Sequence, residues 1–308
     1  MKGYKGFDKD FKCNNFQYEE GKTYEEDEAI ICKKGFHFCK NPMDVLDYYS
    51  LIDDCGNVNQ FAEVESLGDK SCLCDDENFD SKFCTTKIKI GSKLSLEDFI
   101  KTSYKYIKKT QRANYKKSKK RKQNWSEIAK KGYESKIALE GIKNHIITLG
   151  TFSELKIEGY ENKVLTNGSY SQVNIKGIYN QTLINGCSSK AIVRGDANKI
   201  LTNESNVQVT VDGNSNTVAA KGKYNRVVMN GNLNTLVLDG QESIGVNIGI
   251  DGKIKGKKGC WITLAEYVKR DIKHIKSARI DGKTLKEDTF YQLVNGKFVE
   301  VKVENIPF

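Results

Sequence analysis

Glycine recurs every nine residues across the middle of the chain, and this repeat constrains the fold more than any other feature. It stands at positions 141, 150, 159, 168, 177, 186, 195, 213, 222, 231 and 240, and Glu204 is the one interruption. Each unit reads G-x-x-[N/S]-x-Φ-x-Φ-x, where Φ is usually apolar. Alternation at period two is typical of a strand, and glycine followed by a polar residue is typical of a turn. Each unit therefore predicts one short strand and one corner.

A second period of eighteen residues groups the units in pairs. Asparagine occupies the fourth position at Asn144, Asn162, Asn180, Asn198, Asn216 and Asn234, whereas the first three intervening units carry Ser153, Ser171 and Ser189. Two units therefore predict one coil of a parallel β-solenoid. Stacked coils place equivalent side chains about 4.8 Å apart, so we expect the asparagines to hydrogen-bond to one another as a ladder.

The register of the repeat also predicts two different outer faces. If the sixth and eighth positions point inward, the seventh points outward. One outer face then carries an apolar row, here called the leucine row: Ile147, Leu165, Leu183, Leu201, Ala219 and Val237. The opposite face is mixed: Lys156, Asn174, Ile192, Thr210 and Val228. Contiguous apolar rows usually mark contact surfaces. We therefore expect an interface at Leu165, Leu183, Leu201 and Val237, with a second copy or with the N-terminal part of the chain. The alternative is that the strand offset differs and the row is core.

The repeat divides the chain into four predicted parts, and the predicted fold class is mainly β. These are a small acidic α/β domain (1–95), a basic helical connector (96–140), the β-solenoid (141–257) and an antiparallel β cap (258–308). In the first part, Asn41 and Pro42 predict the start of a helix that runs through Tyr49. In the last part, Asn295-Gly296 predicts a hairpin. Such a unit would cover the unpaired edges of the terminal coil.

Charge is distributed very unevenly. Residues 1–100 contain 13 Lys+Arg and 21 Asp+Glu, whereas residues 101–131 contain 13 basic residues and one acid, Glu127. A dense basic helix with interleaved aromatic residues is typical of phosphate binding. The alternative is a solvated linker helix that balances the acidic first domain. The predicted nucleic-acid-binding residues are Lys108, Lys109, Arg112, Lys116, Lys117, Lys119, Lys120, Arg121, Lys122 and Trp125.

The nine cysteines do not predict a disulfide framework. Their number is odd and seven fall within the first 84 residues, so a reducing compartment fits best. Cys55, Cys72, Cys74 and Cys84 could surround one metal ion, but they lack paired C-x2-C spacing, and we predict no metal site. No apolar run approaches the roughly 20 residues that cross a bilayer, and the start lacks a signal-peptide core. We expect a soluble protein in the cytoplasm of a bacterial host.

Both ends of the chain resemble a known family. Tyr4–Cys13, Gly35–Tyr49 and Gly259–Val301 are similar to phage and prophage proteins that also carry a repeat between these ends. The resemblance implies an N-terminal domain, a solenoid of variable length and a C-terminal cap, and it brings no established activity. The long basic insert of this chain departs from the family.

The N-terminal part also resembles ADP-ribosyltransferases. A strand, YKGF, precedes GFHFCKNPMDVLDYY, and a later strand ends in a glutamate. The resemblance implies a cofactor cleft formed by Tyr4, His37, Tyr49 and either Glu63 or Glu65. It lacks a diagnostic spacing, and similarity of fold does not by itself establish function.

Other catalytic and cofactor motifs are absent from the sequence. The three histidines are far apart in the chain, no phosphate-binding G-x-x-x-x-G-K-[S/T] occurs, and the corners lack the aspartate of calcium-binding nonapeptide repeats. We therefore expect no cofactor. The leading interpretation is a non-enzymatic phage-type protein whose solenoid and basic helix engage nucleic acid or a host nucleoprotein complex, such as an anti-CRISPR-like inhibitor. The alternatives are an ADP-ribosyltransferase-like enzyme and a purely structural homo-oligomer.

Overall fold

The computed structural model describes residues 1–72, 81–114 and 124–303. The chain forms two compact units, one of Met1–Asp53 with Val58–Arg121 and one of Asp54–Asn57 with Lys122–Phe308. No helix in the described residues is both long enough and apolar enough to span a membrane.

The first unit is built on a seven-stranded antiparallel sheet. The strands of this unit are β1 Lys2–Phe7, β2 Lys12–Cys13, β3 Phe16–Gln17, β4 Thr23–Glu25, β5 Phe36–Cys39, β6 Gln60–Ser66, β7 Lys70–Cys72, β8 Lys82–Thr85 and β9 Lys87–Leu94. The sheet order is β4-β9-β6-β1-β5-β8-β7, and β2 and β3 form a separate ribbon. Phe7, Phe38 and Ile90 are among the residues that form the core on one face of this sheet. The central position of β1 places its residues next to both β5 and β6.

Two helices accompany this sheet. The helix predicted after Asn41 is a 3-10 helix, Pro42–Asp47, and it ends before Tyr49. Asn41 caps it, since its Oδ1 accepts the N–H of Met43 at 3.1 Å. The second helix, α1, spans Leu96–Asn114. It begins after Ser95, whose hydroxyl accepts the N–H of Asp98 at 3.1 Å. Ser95 is therefore the N-cap of α1, a position that serine commonly occupies.

The second unit is a parallel β-solenoid, as the repeat predicts. Its coils consist of β10 Glu127–Lys131, β11 Lys136–Ile142, β12 His145–Leu149, β13 Glu154–Tyr160, β14 Lys163–Asn167, β15 Gln172–Ile178, β16 Gln181–Asn185, β17 Lys190–Arg194, β18 Lys199–Thr202, β19 Gln208–Asp212, β20 Thr217–Lys221, β21 Arg226–Asn230, β22 Thr235–Asp239, β23 Ile244–Asn247 and β24 Lys253–Gly256. Even-numbered strands pair with one another and odd-numbered strands do the same. We call the two resulting sheets the asparagine sheet and the serine sheet, after the corner residue that precedes most of their strands.

Parallel pairing begins at β10, within the segment that the sequence assigned to the connector. The first recognisable unit is Gly132, Ser135, Ile137 and Leu139, one unit before Gly141, where the sequence analysis started the solenoid. Residues eighteen apart lie side by side, as Leu165 does with Leu183. The sixth and eighth positions of the units fill the interior.

The asparagine ladder is confirmed. Asn162 Nδ2 donates to Asn180 Oδ1 at 3.0 Å, and the same Oδ1 accepts the backbone N–H of Asn162 at 2.9 Å. The same pair of bonds connects Asn144 to Asn162 and Asn198 to Asn216. The buried amides of Asn144, Asn162 and Asn198 therefore have the partners that buried polar groups require. The Nδ2 of Asn216 has none within the described residues.

Most corner glycines of the solenoid have a positive φ, at both kinds of corner, and Gly186 is an exception. Gly177, at the corner before an asparagine, has φ +132°, and a Cβ there would overlap the carbonyl oxygen of Gly159. Gly186, at the other corner, has no positive φ. Gly150 and Gly168, at the same kind of corner as Gly186, have φ +141° and +156°. Glu204 has no positive φ, which agrees with the rarity of that conformation in an L-residue.

The C-terminal cap consists of two hairpins. β25 Trp261–Val268 and β26 Asp271–Arg279 extend the serine sheet, while β27 Phe290–Val294 and β28 Lys297–Val301 extend the asparagine sheet. The predicted hairpin is confirmed, with φ +49° at Asn295 and +65° at Gly296, as a tight turn between twisted strands requires.

Candidate functional site

Helix α1 presents lysines on the side opposite its buried face. Phe99, Ile100 and Ile107 are fully buried, so Lys105 and Lys109, which are exposed, lie one turn apart on the opposite side. No ion pair within the described residues involves Lys105 or Lys109, whereas other lysines of the chain have carboxylate partners. This helical face therefore carries two positive charges without a carboxylate partner within the described residues.

Most of the residues predicted to bind nucleic acid do not lie on this face of α1. Lys108 is half-buried, with its ammonium 5.9 Å from the Tyr104 ring. Arg112 lies in α1, and its side chain falls outside the described residues, as do Lys116, Lys117, Lys119, Lys120, Arg121 and Lys122. Trp125 belongs to the second unit, is 43% exposed and stacks under the ammonium of Lys143 at 4.8 Å.

The residues of the predicted cofactor cleft share one face of the N-terminal sheet. Tyr4 on β1 lies directly opposite Glu63 on β6, and Glu65 follows on the same face. Both carboxylates are exposed. Burial and the neighbouring carboxylate of Glu63 raise the pKa of Tyr4. The structure thus brings a phenol and a carboxylate together at the centre of this face.

His37 lies on the same face but its ring is already engaged. Its Nε2 accepts the backbone N–H of Cys32 at 2.8 Å. Burial, followed by the ammonium groups of Lys82 and Lys5, lowers the pKa of His37 to about 4. The imidazole is therefore neutral at physiological pH, and Nε2 does not point to a ligand.

Tyr49 completes this set of residues. It packs on Gly6, where a Cβ would collide with the Cβ of Tyr49. Burial first, and then a hydrogen bond with the Cys13 side chain, raises the pKa of Tyr49. The Tyr49 hydroxyl is therefore protonated and hydrogen-bonded to Cys13. Tyr49 lies beside Gly6, whereas Glu65 lies beside Lys2 at the other end of β1.

The leucine row lies outside the solenoid interior and is nevertheless buried. Leu165, Leu183 and Leu201 have no exposed surface, and Val237 is nearly as buried. One end of the row borders the segment Asp54–Asn57: the Asp54 carboxylate is 2.9 Å from Lys199 Nζ, and a Cβ at Gly56 would touch Val237. The row therefore offers no exposed leucine at the positions predicted to form an interface.

The described residues contain no group of three or more His, Cys, Asp or Glu side chains arranged to hold a metal ion. Of the four cysteines considered as ligands, Cys74 lies outside the described residues. The Cys84 thiol is buried and donates to the carbonyl of Lys34 at 2.8 Å.

Sequence reasoning missed a stack of exposed aromatic rings at one corner of the solenoid. Tyr133, Phe152 and Tyr170 follow one another with ring centroids 5.1 and 5.0 Å apart. It also missed a second amide ladder, in which Asn203 Nδ2 donates to Asn185 Oδ1 at 2.8 Å. A spacing of 18 residues was the signal for Phe152 with Tyr170 and for Asn185 with Asn203, whereas Tyr133 lies 19 residues before Phe152.

One comparison with known proteins gives a match. Residues 1–102 of the 308 match the family model described as a domain of unknown function, DUF7666. The match covers β1 to β9 and the first turns of α1, and it assigns no activity. No curated protein and no solved structure matches the chain.

Proposed function

We propose that this chain is a non-enzymatic binding protein that engages nucleic acid, free or within a nucleoprotein complex, through its basic segment. The observation that carries the proposal is the concentration of charge, 13 basic residues against one acid over residues 101–131. The exposed, unpaired Lys105 and Lys109 on α1 support it, since they are available to an anion without first breaking an ion pair.

The physical basis is counterion release. Each phosphate that a lysine or arginine neutralises frees a condensed cation, so affinity falls steeply as salt is added. Tyr104 and Tyr106 are half-buried along α1, and the exposed Trp125 adds an aromatic surface at the end of the segment. Aromatic rings beside positive charge favour single strands, whose bases stack on them.

In this proposal the solenoid is a rigid scaffold. Rigid repeat surfaces suit large targets, and the outer face of the serine sheet carries exposed polar and charged residues such as Lys156 and Arg194. The most specific form of the proposal is a phage or prophage protein that inhibits a nucleoprotein defence complex in the cytoplasm of its host.

The test measures binding of the full-length protein to fluorescent single-stranded DNA, double-stranded DNA and RNA over a series of salt concentrations. The test variant replaces Lys116, Lys117, Lys119, Lys120, Arg121 and Lys122 by glutamine. The control variant removes the same number of positive charges elsewhere in the chain. It replaces six exposed residues by glutamine: Lys190, Arg194, Lys223, Arg226, Lys258 and Lys283. We expect the test variant to lose at least about tenfold in affinity and to flatten the salt dependence, since a nonspecific phosphate interface scales with contact number.

Equal losses in both variants would show that net charge alone drives the binding. Unchanged binding in the test variant would overturn the role of the basic segment. Pull-down from a bacterial host with wild type and test variant side by side then identifies the nucleic acid or complex concerned.

A second candidate function is an ADP-ribosyltransferase-like activity of the N-terminal unit. The specific observation in its favour is the placement of Tyr4 beside Glu63 on an exposed sheet face. NAD consumption by the wild type, lost in a Glu63→Gln/Glu65→Gln variant, would support it. Absence of turnover in the wild type would exclude it. The structural homo-oligomer has no comparable observation in its favour, because the leucine row is buried.

A further inference from the structure

Strand β26 is the outermost strand of the serine sheet. It spans nine residues, and within the described residues it pairs only with β25. Seven of its residues are exposed, and only His274 and Ala278 are half-buried. A long strand with one unpaired side is a ready template for another strand.

The direction of its backbone groups follows from the pairing with β25. The N–H of Ile280 donates to the carbonyl of Cys260 at 2.8 Å, and Ala278 lies opposite Ile262 in the same register. Since peptide groups of an antiparallel pair point alternately toward and away from the partner, those of Ser277 and Arg279 point to the free side. This part of β26 can therefore offer donors and acceptors to an added strand.

The free edge is strongly basic. Five cations occur within eleven residues, with Asp271 as the single acid: Lys269, Arg270, Lys273, Lys276 and Arg279. No ion pair in the described part of the chain includes any of the five. The last strand of the other sheet differs, since Glu300 on β28 pairs with Lys286 at 2.8 Å.

Apolar side chains interrupt this charge. Ile272 and Ile275 on β26 are 55% and 54% exposed, and Trp261 on β25 is 49% exposed. Lysines on an edge strand often serve only to prevent association of like edges. Large exposed apolar residues on the same strand work against that purpose, because they add area that favours contact.

We propose that β26 is a docking site for an extended acidic peptide segment of another protein, which adds to the serine sheet as a further antiparallel or parallel strand. Backbone hydrogen bonds supply the common part of the affinity, and alternate side chains supply specificity. Acidic side chains on one face of the peptide meet Lys273 and Arg279, which lie on the same face of β26. Charge complementarity selects this occupant over a second copy, which would bring two basic edges together.

The test uses the full-length protein and a fluorescent synthetic peptide of about ten residues, a typical upper strand length, in which glutamate alternates with valine. Two reference probes are the same peptide with glutamine for glutamate and single-stranded DNA of equal length. We expect the acidic peptide to bind at least about tenfold more tightly than the neutral one, an advantage that decreases with salt.

A matched pair of variants separates strand addition from general charge attraction. Ser277→Pro removes the backbone donor on the free side and keeps the bonds to β25, because proline is tolerated where the N–H of an edge strand faces solvent. Ser277→Ala keeps the donor and removes only the hydroxyl, which lies 2.8 Å from that of Thr263. We expect about tenfold weaker binding for Ser277→Pro and little change for Ser277→Ala, with the basic-segment variant binding the peptide as wild type does.

Amide hydrogen exchange on the wild type provides a measurement that does not depend on the folding of any variant. Bound acidic peptide should slow exchange at Ser277 and Arg279. Absence of protection at saturating peptide, equal binding of the neutral peptide, or protection by DNA in place of peptide would each overturn the proposal. Concentration-dependent dimerisation that Ser277→Pro abolishes would overturn it in favour of a second copy.

Discussion

The two sheets of the solenoid are built from the same nine-residue unit, yet only one of them is buried on both faces. In the asparagine sheet, the first four residues of β14, Lys163–Asn167, are buried. In the serine sheet, β15, Gln172–Ile178, alternates between buried and accessible positions. The repeat therefore determines which residues point inward, and the residue at the seventh position determines what the outer face can contact.

The largest expected effect tests the buried outer face directly. Leu183→Ala should destabilise the solenoid by about 3 kcal/mol, because it leaves a cavity at a fully buried position. Val228→Ala, at the equivalent position of the serine sheet, is exposed and should change stability by less than about 0.5 kcal/mol. Urea unfolding of both variants checks the difference, and equal losses would contradict the distinction between the faces.

The second prediction compares two corner glycines of the solenoid, one with a positive φ and one without. Gly177→Ala forces a left-handed φ on an L-residue and should cost about 3 kcal/mol. Gly186→Ala has no such φ, but its Cβ would also overlap the carbonyl oxygen of Gly168, so its cost should be smaller, about 2 kcal/mol. Thermal unfolding of the two variants measures both costs. Equal costs would show that the overlap with the carbonyl of the previous coil, which both variants share, outweighs backbone strain.

A smaller difference is expected between the asparagine and serine corners. Asn180→Ala leaves the backbone N–H of Asn162 without its acceptor, while Asn162 Nδ2 keeps the carbonyl of Gly141, and should cost about 2 kcal/mol. Ser171→Ala loses one bond from its hydroxyl to the carbonyl of Gly168 and should cost about 1 kcal/mol. Chemical denaturation checks both values. Similar costs would mean that the ladder adds nothing to a single corner bond.

The smallest expected effect concerns the hydrogen bonds that connect the two sheets at the C-terminal cap. Glu266 on the serine sheet accepts the N–H groups of Asn295 and Gly296 from the asparagine sheet and contacts His274 at 2.8 Å. The Gly296 N–H, followed by His274, lowers the pKa of Glu266. A lowered pKa gives stability that is complete above the unfolded value of about 4.3 and is lost as the pH falls through the folded value.

The hydrogen-exchange protection factors of Asn295 and Gly296, which correct for the intrinsic pH dependence of exchange, should therefore fall below about pH 4.3. Glu266→Gln should remove this pH dependence, since glutamine does not titrate in that range. Exchange in β18, within the solenoid, serves as the internal control. Persistence of the same pH profile in the variant would assign the acid sensitivity to another carboxylate.

Much of the solenoid was predictable because its signals are local and repeated. Two glycines nine residues apart do not predict a fold. Eleven glycines at this spacing predict the strands, the corners and the pairing of Leu165 with Leu183. The earlier start at Glu127 was less clear because β10 contains two lysines and no corner glycine precedes it in the described residues. The 3-10 geometry of Pro42–Asp47 was also not predictable, since capping by Asn41 is common to both kinds of helix.

The candidate sites show where sequence reasoning stops. Glu63 and Glu65 were named as alternatives by the resemblance to ADP-ribosyltransferases, but the pairing of Glu63 with Tyr4 depends on which strands of the antiparallel sheet are neighbours. His37 was named by the same resemblance, and only the structure shows that the N–H of Cys32 donates to its Nε2. The free edge of β26 was not recognised, because an edge is defined by the absence of a neighbouring strand, which no local pattern encodes.

By itself, the sequence determined the coil length, the inward positions and the asparagine ladder, because identical units eighteen residues apart must satisfy identical backbone and side-chain bonds. The tertiary structure alone decided that the leucine row is buried and that Trp261 and Ile275 are exposed. The physical reason is that hydrophobicity and periodicity assign a residue to a face, whereas burial depends on what packs against that face.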